Sequence, residues 1–270
     1  SCKKNMLTLA GLARSVLLTA DPAKKAALTQ DLSIIWNEDP EFSVGIAHAP
    51  RRPRRPNVPE LKPPADMPNR GKANSPKNKA ALLHALAHIE LNAIDLACDL
   101  IARFANPLFP KEFYDDWVRV ANEEATHFIL LTDRLAQLGT VYGALPAHDG
   151  LWEAAESTSD DLLLRLAIVP LVLEARGLDV TPAIMNSLTK VADKKTLVIL
   201  DRIYTDEIHH VSIGWKWFTY LCQQRELDPT THWYHLVKEH FPGKLKKPFN
   251  HEARILAGFK DKVYERLCVK

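Results

Sequence analysis

Glu124-Ala-Thr-His127 and Glu207-Ile-His-His210 repeat one four-residue pattern, Glu-x-x-His, within segments that have helical periodicity. A single glutamate precedes each motif in another such segment, Glu90 before the first motif and Glu174 before the second. The glutamates of the first pair are 34 residues apart, and those of the second pair are 33 residues apart. An internal near-repeat of this kind predicts two helical hairpins related by a pseudo-two-fold axis.

Helix-capping residues delimit four long helices around these motifs. Ser75-Pro76 is an N-cap followed by a proline at the first helical position, where no backbone donor is needed. Gly139 is expected just after the second helix as a C-cap residue. Ser159 is expected to open the third helix and Gly177 to end it, with a shorter helix starting at Thr181-Pro182. The four long helices are expected at about 75–104, about 111–138, about 159–176 and about 193–225.

No segment shows the alternation of apolar and polar residues that a half-buried strand requires. The sequence therefore predicts an all-α fold whose main part is a four-helix bundle over residues 75–226. Residues 1–40 are expected to form a helical extension, in which Asp21-Pro22 starts the second of two short helices. A proline- and arginine-rich arm is expected at 41–74, and small helices in a tail at 227–270.

The arm and the tail are both basic. Seven of the twenty residues from Ala49 to Pro68 are proline, which excludes a helix or an inner strand and predicts an extended segment. Ala47–Lys79 carries a charge of +7 and Lys238–Lys270 carries +5, so the rest carries −10 to give the formal net charge of +2. These basic segments either serve solubility or form salt bridges with the acidic bundle, or they attract an anionic partner such as RNA or a phosphorylated substrate.

Composition sets the broad class of the protein. With 46% apolar and 25% charged residues, and no run of about 18 uncharged apolar residues, the sequence predicts a soluble protein without a membrane span. Met6–Ala20 is apolar but interrupted by Arg14, which favours an amphipathic helix over a signal peptide. The four cysteines form no CxxC pair and predict a reducing, cytoplasmic location. Cys98 and Cys222 are expected to be small core residues.

The Glu-x-x-His spacing has a chemical reason. Positions i and i+3 of a helix point to the same side, so a glutamate and a histidine of one helix can reach the same ion. A further glutamate from each hairpin completes a set of four carboxylates and two imidazoles, as in di-iron and di-manganese carboxylate bundles. These ligands suit iron or manganese better than a thiolate-preferring ion, and iron is the expected metal while manganese or a mixed Mn/Fe pair stays open. The predicted metal ligands are Glu90, Glu124, His127, Glu174, Glu207 and His210.

The alternative interpretation of these six residues is a buried polar network without metal, with Glu174 paired to Arg176. Tyr204 and Trp117 lie on the metal-facing sides of their helices, and they either pack in the core or carry electrons to the metals. His84 and His88 turn away from the metal-facing side and are expected at the surface or behind the ligands. Pro170, one turn before the third-helix glutamate, predicts a kink.

Five segments of the chain carry a resemblance to a known family: His84–Glu90, Glu123–His127, His148–Glu153, Glu174–Asp179 and Tyr204–His210. They resemble a bacterial ferritin-like family of uncharacterised function, and the similarity extends over most of the chain, including the arm. This resemblance implies a ferritin-like bundle with a dinuclear metal centre. The chain is also similar, more distantly, to a ferritin-like tRNA hydroxylase with a di-iron centre, with which it shares the carboxylate and histidine pattern.

These observations favour an oxidase or monooxygenase that activates O₂ at the metal pair and acts on an unknown, possibly anionic substrate. Two reduced irons can each give an electron to O₂ while keeping an open coordination position. The loop Pro146–Ser157 and the arm are candidates to cover a substrate pocket. The alternatives are a ferroxidase or iron-binding protein without an organic substrate, and a structural or adaptor bundle held together by its metal. A homodimer is the default expectation for the assembly.

Overall fold

The computed structural model describes residues 7–68, 73 and 75–268, and Cys2 with the start of the predicted amphipathic segment lies outside these ranges. The described residues form helices joined by loops, with no β-strand among them, so the all-α prediction is confirmed. The chain divides into two compact units, Ser1–Glu156 and Ser157–Lys270. Within the described ranges, every helix is too short or too polar to cross a membrane.

The first unit contains two shorter helices packed on a pair of long ones. The caps form as predicted: the Asp21 carboxylate accepts a hydrogen bond from the backbone of Lys24, and the Ser75 hydroxyl accepts one from Asn78. Gly139 follows the second long helix with a φ of +81°, a conformation that favours glycine. The helices of this unit are α1 (Leu9–Leu17), α2 (Pro22–Glu38), α3 (Pro76–Arg103), α4 (Lys111–Gln137) and α5 (Gly150–Ser157).

Tertiary packing in this unit pairs α1 with α3 and α2 with α4, while α3 and α4 pack along each other. The helix α5 lies within Pro146–Ser157, which the sequence predicted to be a loop. It forms because Trp152 and Ala155, three residues apart, share one face and are both buried. The packing of α3 on α4 is what positions the candidate site.

The predicted arm is extended and belongs to the first unit. Its only regular element among the described residues is a short 3₁₀ turn, Pro64–Asp66. The backbone N–H of Lys62 donates to the carbonyl oxygen of Ala147 at 2.8 Å. Three arginines of the arm form ion pairs with acids, so the salt-bridge interpretation is confirmed for these three. The pairs are Arg51–Glu156, Arg52–Asp149 and Arg55–Asp95.

The second unit is built around a long helix and a distorted one. The third predicted helix begins after Asp161 rather than at Ser159, since the Asp161 carboxylate accepts a hydrogen bond from Leu163. A π-helical segment, Val169–Glu174, then interrupts it, which places a distortion where Pro170 predicted a kink. The helices of this unit are α6 (Leu162–Ile168), α7 (Ala175–Lys190), α8 (Lys194–Gln224), α9 (Pro229–His240), α10 (His251–Leu256) and α11 (Asp261–Tyr264), followed by a 3₁₀ turn (Glu265–Leu267).

The helix α7 continues through Gly177 and Pro182, so the predicted break between two helices there is wrong. A proline inside a helix leaves the carbonyl group four residues earlier without its N–H partner. Here that group belongs to Leu178, and its oxygen accepts a hydrogen bond of 3.0 Å from the Asn250 side chain. The tail thus replaces the missing helical hydrogen bond, and the helix persists.

The long helix α8 approaches the π-helical segment closely at Gly214. A β-carbon at this glycine would lie 2.8 Å from Cβ of Pro170 and 3.6 Å from Leu171. Only a residue without a side chain permits this approach. Gly214 therefore fixes how near α8 lies to the segment that carries Glu174.

Candidate metal centre

Three of the six predicted ligands come together in the first unit: Glu90 on α3, and Glu124 and His127 on α4. Each offers one ligand atom, and these atoms lie within 4.8 Å of one another. Nδ1 of His127 lies 3.2 Å from Oε2 of Glu124 and 3.5 Å from Oε2 of Glu90. The i,i+3 spacing aligns the two α4 residues, and the packing of α3 along α4 adds the third. We call these three residues the first half-site.

The first half-site is a buried cluster of negative charge. Its three residues are at most 4% exposed. Burial and the nearby charge of Glu124 raise the pKa of Glu90 well above its ordinary value, and His127 partly opposes this shift. No hydrogen bond reaches Oε2 of Glu90 from the described part of the chain. A cation coordinated by these atoms would neutralise the carboxylates and use that oxygen, and two carboxylates with one imidazole suit iron or manganese.

Two further predicted ligands, Glu207 and His210, lie together on α8 in the second unit. Nδ1 of His210 is 3.4 Å from Oε1 of Glu207, as the i,i+3 spacing predicts. His210 is buried and Glu207 is half-buried. We call these two residues the second half-site. Glu174 is half-buried at the last position of the π-helical segment, and its role as a ligand stays a prediction.

The two aromatic candidates have different surroundings. Trp117 is buried against Phe113, with ring centroids 6.4 Å apart, and its indole N–H has no acceptor within the described ranges. The Tyr204 hydroxyl accepts a hydrogen bond of 2.8 Å from the side chain of Asn250. Both environments are compatible with core packing, and an electron-transfer role for either residue stays a prediction.

Comparison with known proteins places all of these residues within one family. Residues 18–265 match the family described as "Protein of unknown function (DUF455)". The chain belongs to the DUF455 family. An uncharacterised protein of Haemophilus influenzae is 40% identical to it over 261 residues, which is 91% of this chain and 88% of the relative. No solved structure matches the chain. The DUF455 match covers both half-sites and Glu174.

His84 and His88 of this DUF455 protein are buried, so the prediction of a surface position is wrong for both. Nε2 of His84 accepts a hydrogen bond of 2.9 Å from the backbone of Gly143, and Nδ1 of His88 lies 2.8 Å from the Tyr142 hydroxyl. Burial lowers the pKa of His84, and burial together with the charge of Arg55 lowers the pKa of His88 to about 4. Both rings are therefore neutral at pH 7 and hold the loop after α4 in place.

A buried charge cluster around Asp95 of α3 was missed in the sequence of this DUF455 chain. Asp95 is fully buried, with Nζ of Lys25 at 2.5 Å from Oδ1 and Nε of Arg55 at 2.8 Å from Oδ2. Desolvation lowers the pKa of Lys25, and the charge of Asp95 opposes that shift. The available signal was Asp95 and Asp99, two acids four residues apart in the apolar segment 91–102. Buried acids in such a segment need a cationic partner.

Proposed function

We propose that this protein is a ferritin-like, dinuclear non-haem metal oxidoreductase, an oxidase or monooxygenase that uses O₂. The observation that carries the proposal is the buried first half-site, in which Glu90, Glu124 and His127 present ligand atoms within 4.8 Å of one another. The near-repeat in the sequence supplies the matching set for a second ion, Glu174, Glu207 and His210. The i,i+3 contact within the second half-site supports this pairing.

Under this proposal the two sets hold the two ions of one centre, with iron as the preferred metal and manganese or a mixed pair fitting the same ligands. A ferrous pair supplies two electrons to O₂, and an external reductant must then restore it before the next turnover. The protein fixes the ligands and excludes water. Ala87 and Ala121, each three residues before a glutamate of the first half-site, are fully buried. Their small side chains on the ligand side of each helix leave space for an ion and a small molecule.

Two aromatic residues and the basic tail are the candidates for electron transfer and for substrate binding. Trp117 lies seven residues before Glu124 on the same face of α4, and Tyr204 lies three residues before Glu207 on α8. We assign both as candidates to carry an electron between the metals and an external donor. A substrate with negative charge fits the basic tail, whereas the three paired arginines of the arm already have acidic partners.

The test combines metal analysis with oxygen consumption. Metal-free protein is loaded with Fe(II) under anaerobic conditions, desalted, analysed by mass spectrometry and then exposed to O₂ with a chemical reductant. We expect about two ions per chain and sustained O₂ consumption. The double variant Glu124→Gln/His127→Gln should lose both properties. The control Glu123→Gln alters the neighbouring buried acid, which pairs with Arg119 instead, and should behave like the wild type.

Other outcomes separate the alternatives. O₂ uptake that stops after one oxidation of the bound Fe(II), despite excess reductant, would indicate a ferroxidase. Bound metal that raises the melting temperature without any O₂ uptake would indicate a structural ion. Wild-type protein that binds neither Fe(II) nor Mn(II) would refute the metal centre and leave a buried polar network.

A further inference from the structure

A cavity of about 270 Å³ lies within the second unit, between the π-helical segment and the tail. Val172 and Leu173 form part of its wall, Leu245 adds a further apolar side chain, and Phe241 and Phe249 contribute aromatic rings. Apolar and aromatic walls with a few polar groups are typical of sites for small molecules. The cavity is therefore a candidate ligand site in its own right.

The charged residues of this cavity are predominantly basic, with four basic side chains and one carboxylate. The carboxylate, Asp179, is engaged by buried Arg254 through hydrogen bonds of 2.9 and 2.7 Å. Lys244 and Lys246 are exposed and form no ion pair in the described part of the chain. Arg176 donates from Nη1 to the carbonyl oxygen of Lys246 at 2.8 Å and also lies 3.4 Å from Oδ2 of Asp179, so the uncompensated charge is that of the two lysines. The rim of the cavity thus carries uncompensated positive charge.

The tail differs from the arm in this respect. Arg51, Arg52 and Arg55 of the arm have acidic partners, whereas the two cavity lysines have none among the described residues. The two tail lysines therefore combine unpaired charge with a position on a cavity wall. The charge of the tail lies next to an apolar cavity of about 270 Å³. A flat surface that binds polyanions has no such cavity.

We propose that this cavity binds a small organic anion, a molecule with a carboxylate or phosphate head group on an aromatic or aliphatic body. Lys244, Lys246 and Arg176 provide charge and hydrogen-bond donors for the head group. Phe241 and Phe249 pack against the body, as aromatic rings do in ligand sites. The volume of about 270 Å³ fits a single small molecule, whereas a nucleic-acid chain would require a longer groove with several phosphate contacts.

The cavity adjoins the segment that carries a predicted metal ligand. Val172 and Leu173 immediately precede Glu174, so a molecule in the cavity contacts the same π-helical turn. Assigning the bound anion as the substrate rests on the proposed function. The binding of the anion itself does not rest on the proposed function, because every lining residue belongs to the second unit and the cavity needs no metal.

The test is calorimetric titration of the full-length, metal-free protein with three probes: phenyl phosphate, phenylacetate and the neutral benzyl alcohol. We expect the wild type to bind at least one of the two anions and to bind benzyl alcohol much more weakly. Lys244→Gln/Lys246→Gln should weaken anion binding about tenfold. The matched control Lys260→Gln/Lys262→Gln removes the same charge from exposed positions of the tail outside the cavity lining, and should retain wild-type affinity. Urea unfolding verifies that both variants stay folded.

Each outcome bears on the proposal. The anion that binds more tightly identifies the head group, and either one supports the cavity if the two lysines are needed. Equal weakening in both double variants would indicate general charge attraction and overturn the proposal. So would equal affinity for benzyl alcohol, or binding of a short single-stranded oligonucleotide without binding of the small anions. Because the titration uses metal-free protein, its failure would not contradict the metal-centre proposal. Likewise, failure of the metal-binding test would not contradict binding of an anion in this cavity.

Discussion

Asp95 is fully buried and forms ion pairs with the two cations Lys25 and Arg55. We expect the contribution of Asp95 to the free energy of unfolding to depend on both of these cations. Arg55→Gln leaves a buried carboxylate with one cation, and should lower the free energy of unfolding by about 2 kcal/mol. Arg51→Gln breaks a pair with Glu156 in which the arginine side chain is 83% exposed, and should cost less than about 1 kcal/mol. Urea unfolding of the two variants measures the difference, and equal losses would contradict the assignment.

His84 should make the protein sensitive to acid. Its pKa is lowered by burial, so below the ordinary value of 6.5 the unfolded chain binds a proton that the folded chain resists. Its contribution is therefore intact at neutral pH and is lost as the pH falls. His84→Gln keeps an acceptor for Gly143 but does not titrate, so the metal-free variant should lose less stability than the wild type between about pH 7 and pH 5. Urea unfolding at several pH values measures this.

His88 also has a lowered pKa and remains in both proteins compared in that experiment. Because His88 titrates in the wild type and in the variant alike, the difference between the two pH profiles reports His84 together with its electrostatic effect on His88. Parallel profiles would show that protonation of His84 does not destabilise the fold.

At the scale of the helices, the two glycines within α7 and α8 provide a matched pair of substitutions. Gly214→Ala places a β-carbon 2.8 Å from Pro170, so it should force α8 away from the π-helical segment and cost about 1–3 kcal/mol. Gly177→Ala on α7 meets no atom within 4 Å, and should stabilise the helix by about 0.5–1 kcal/mol. Chemical denaturation gives both values. A stabilising effect at Gly214 would show that the close approach is not tight.

The helices whose ends depend on local capping were predicted well from the sequence. α3 starts after Ser75 and α8 starts after Asp193, because each cap binds a backbone N–H only three residues away. The continuity of α7 through Pro182 could not be predicted, since it depends on a hydrogen bond from Asn250, far along the chain. The location of the third-helix start was also ambiguous, because serine and aspartate both cap helices.

The same distinction applies to the candidate site. The contacts within α4 and within α8 follow from i,i+3 geometry, so the motifs Glu124–His127 and Glu207–His210 were sufficient to predict them. The Asp95 cluster unites residues separated by 70 and 40 positions, and its partners come from a short helix and the arm. No local spacing encodes such contacts. Long-range packing decides them, as it decides the burial of His84.

At the scale of the whole molecule, each compact unit carries one half-site, and neither half-site alone supplies the ligands of a dinuclear centre. The first provides two carboxylates and one imidazole, and the second provides one of each. Dinuclear carboxylate centres of four-helix bundles use four carboxylates and two imidazoles. The proposed centre therefore requires the ligands of both half-sites, and metal binding should couple the two ligand sets.

That coupling distinguishes one shared centre from two independent sites. We expect Glu124→Gln/His127→Gln and Glu207→Gln/His210→Gln each to reduce the metal content from about two ions per chain to near zero, because the ions of a shared centre hold common ligands. Independent sites would instead leave one ion in each double variant. Mass spectrometry counts the ions, and the gain in melting temperature on adding Fe(II) should vanish in both variants. Glu123→Gln should keep the ions and the gain, so retention of one ion by either double variant would argue for separate mononuclear sites.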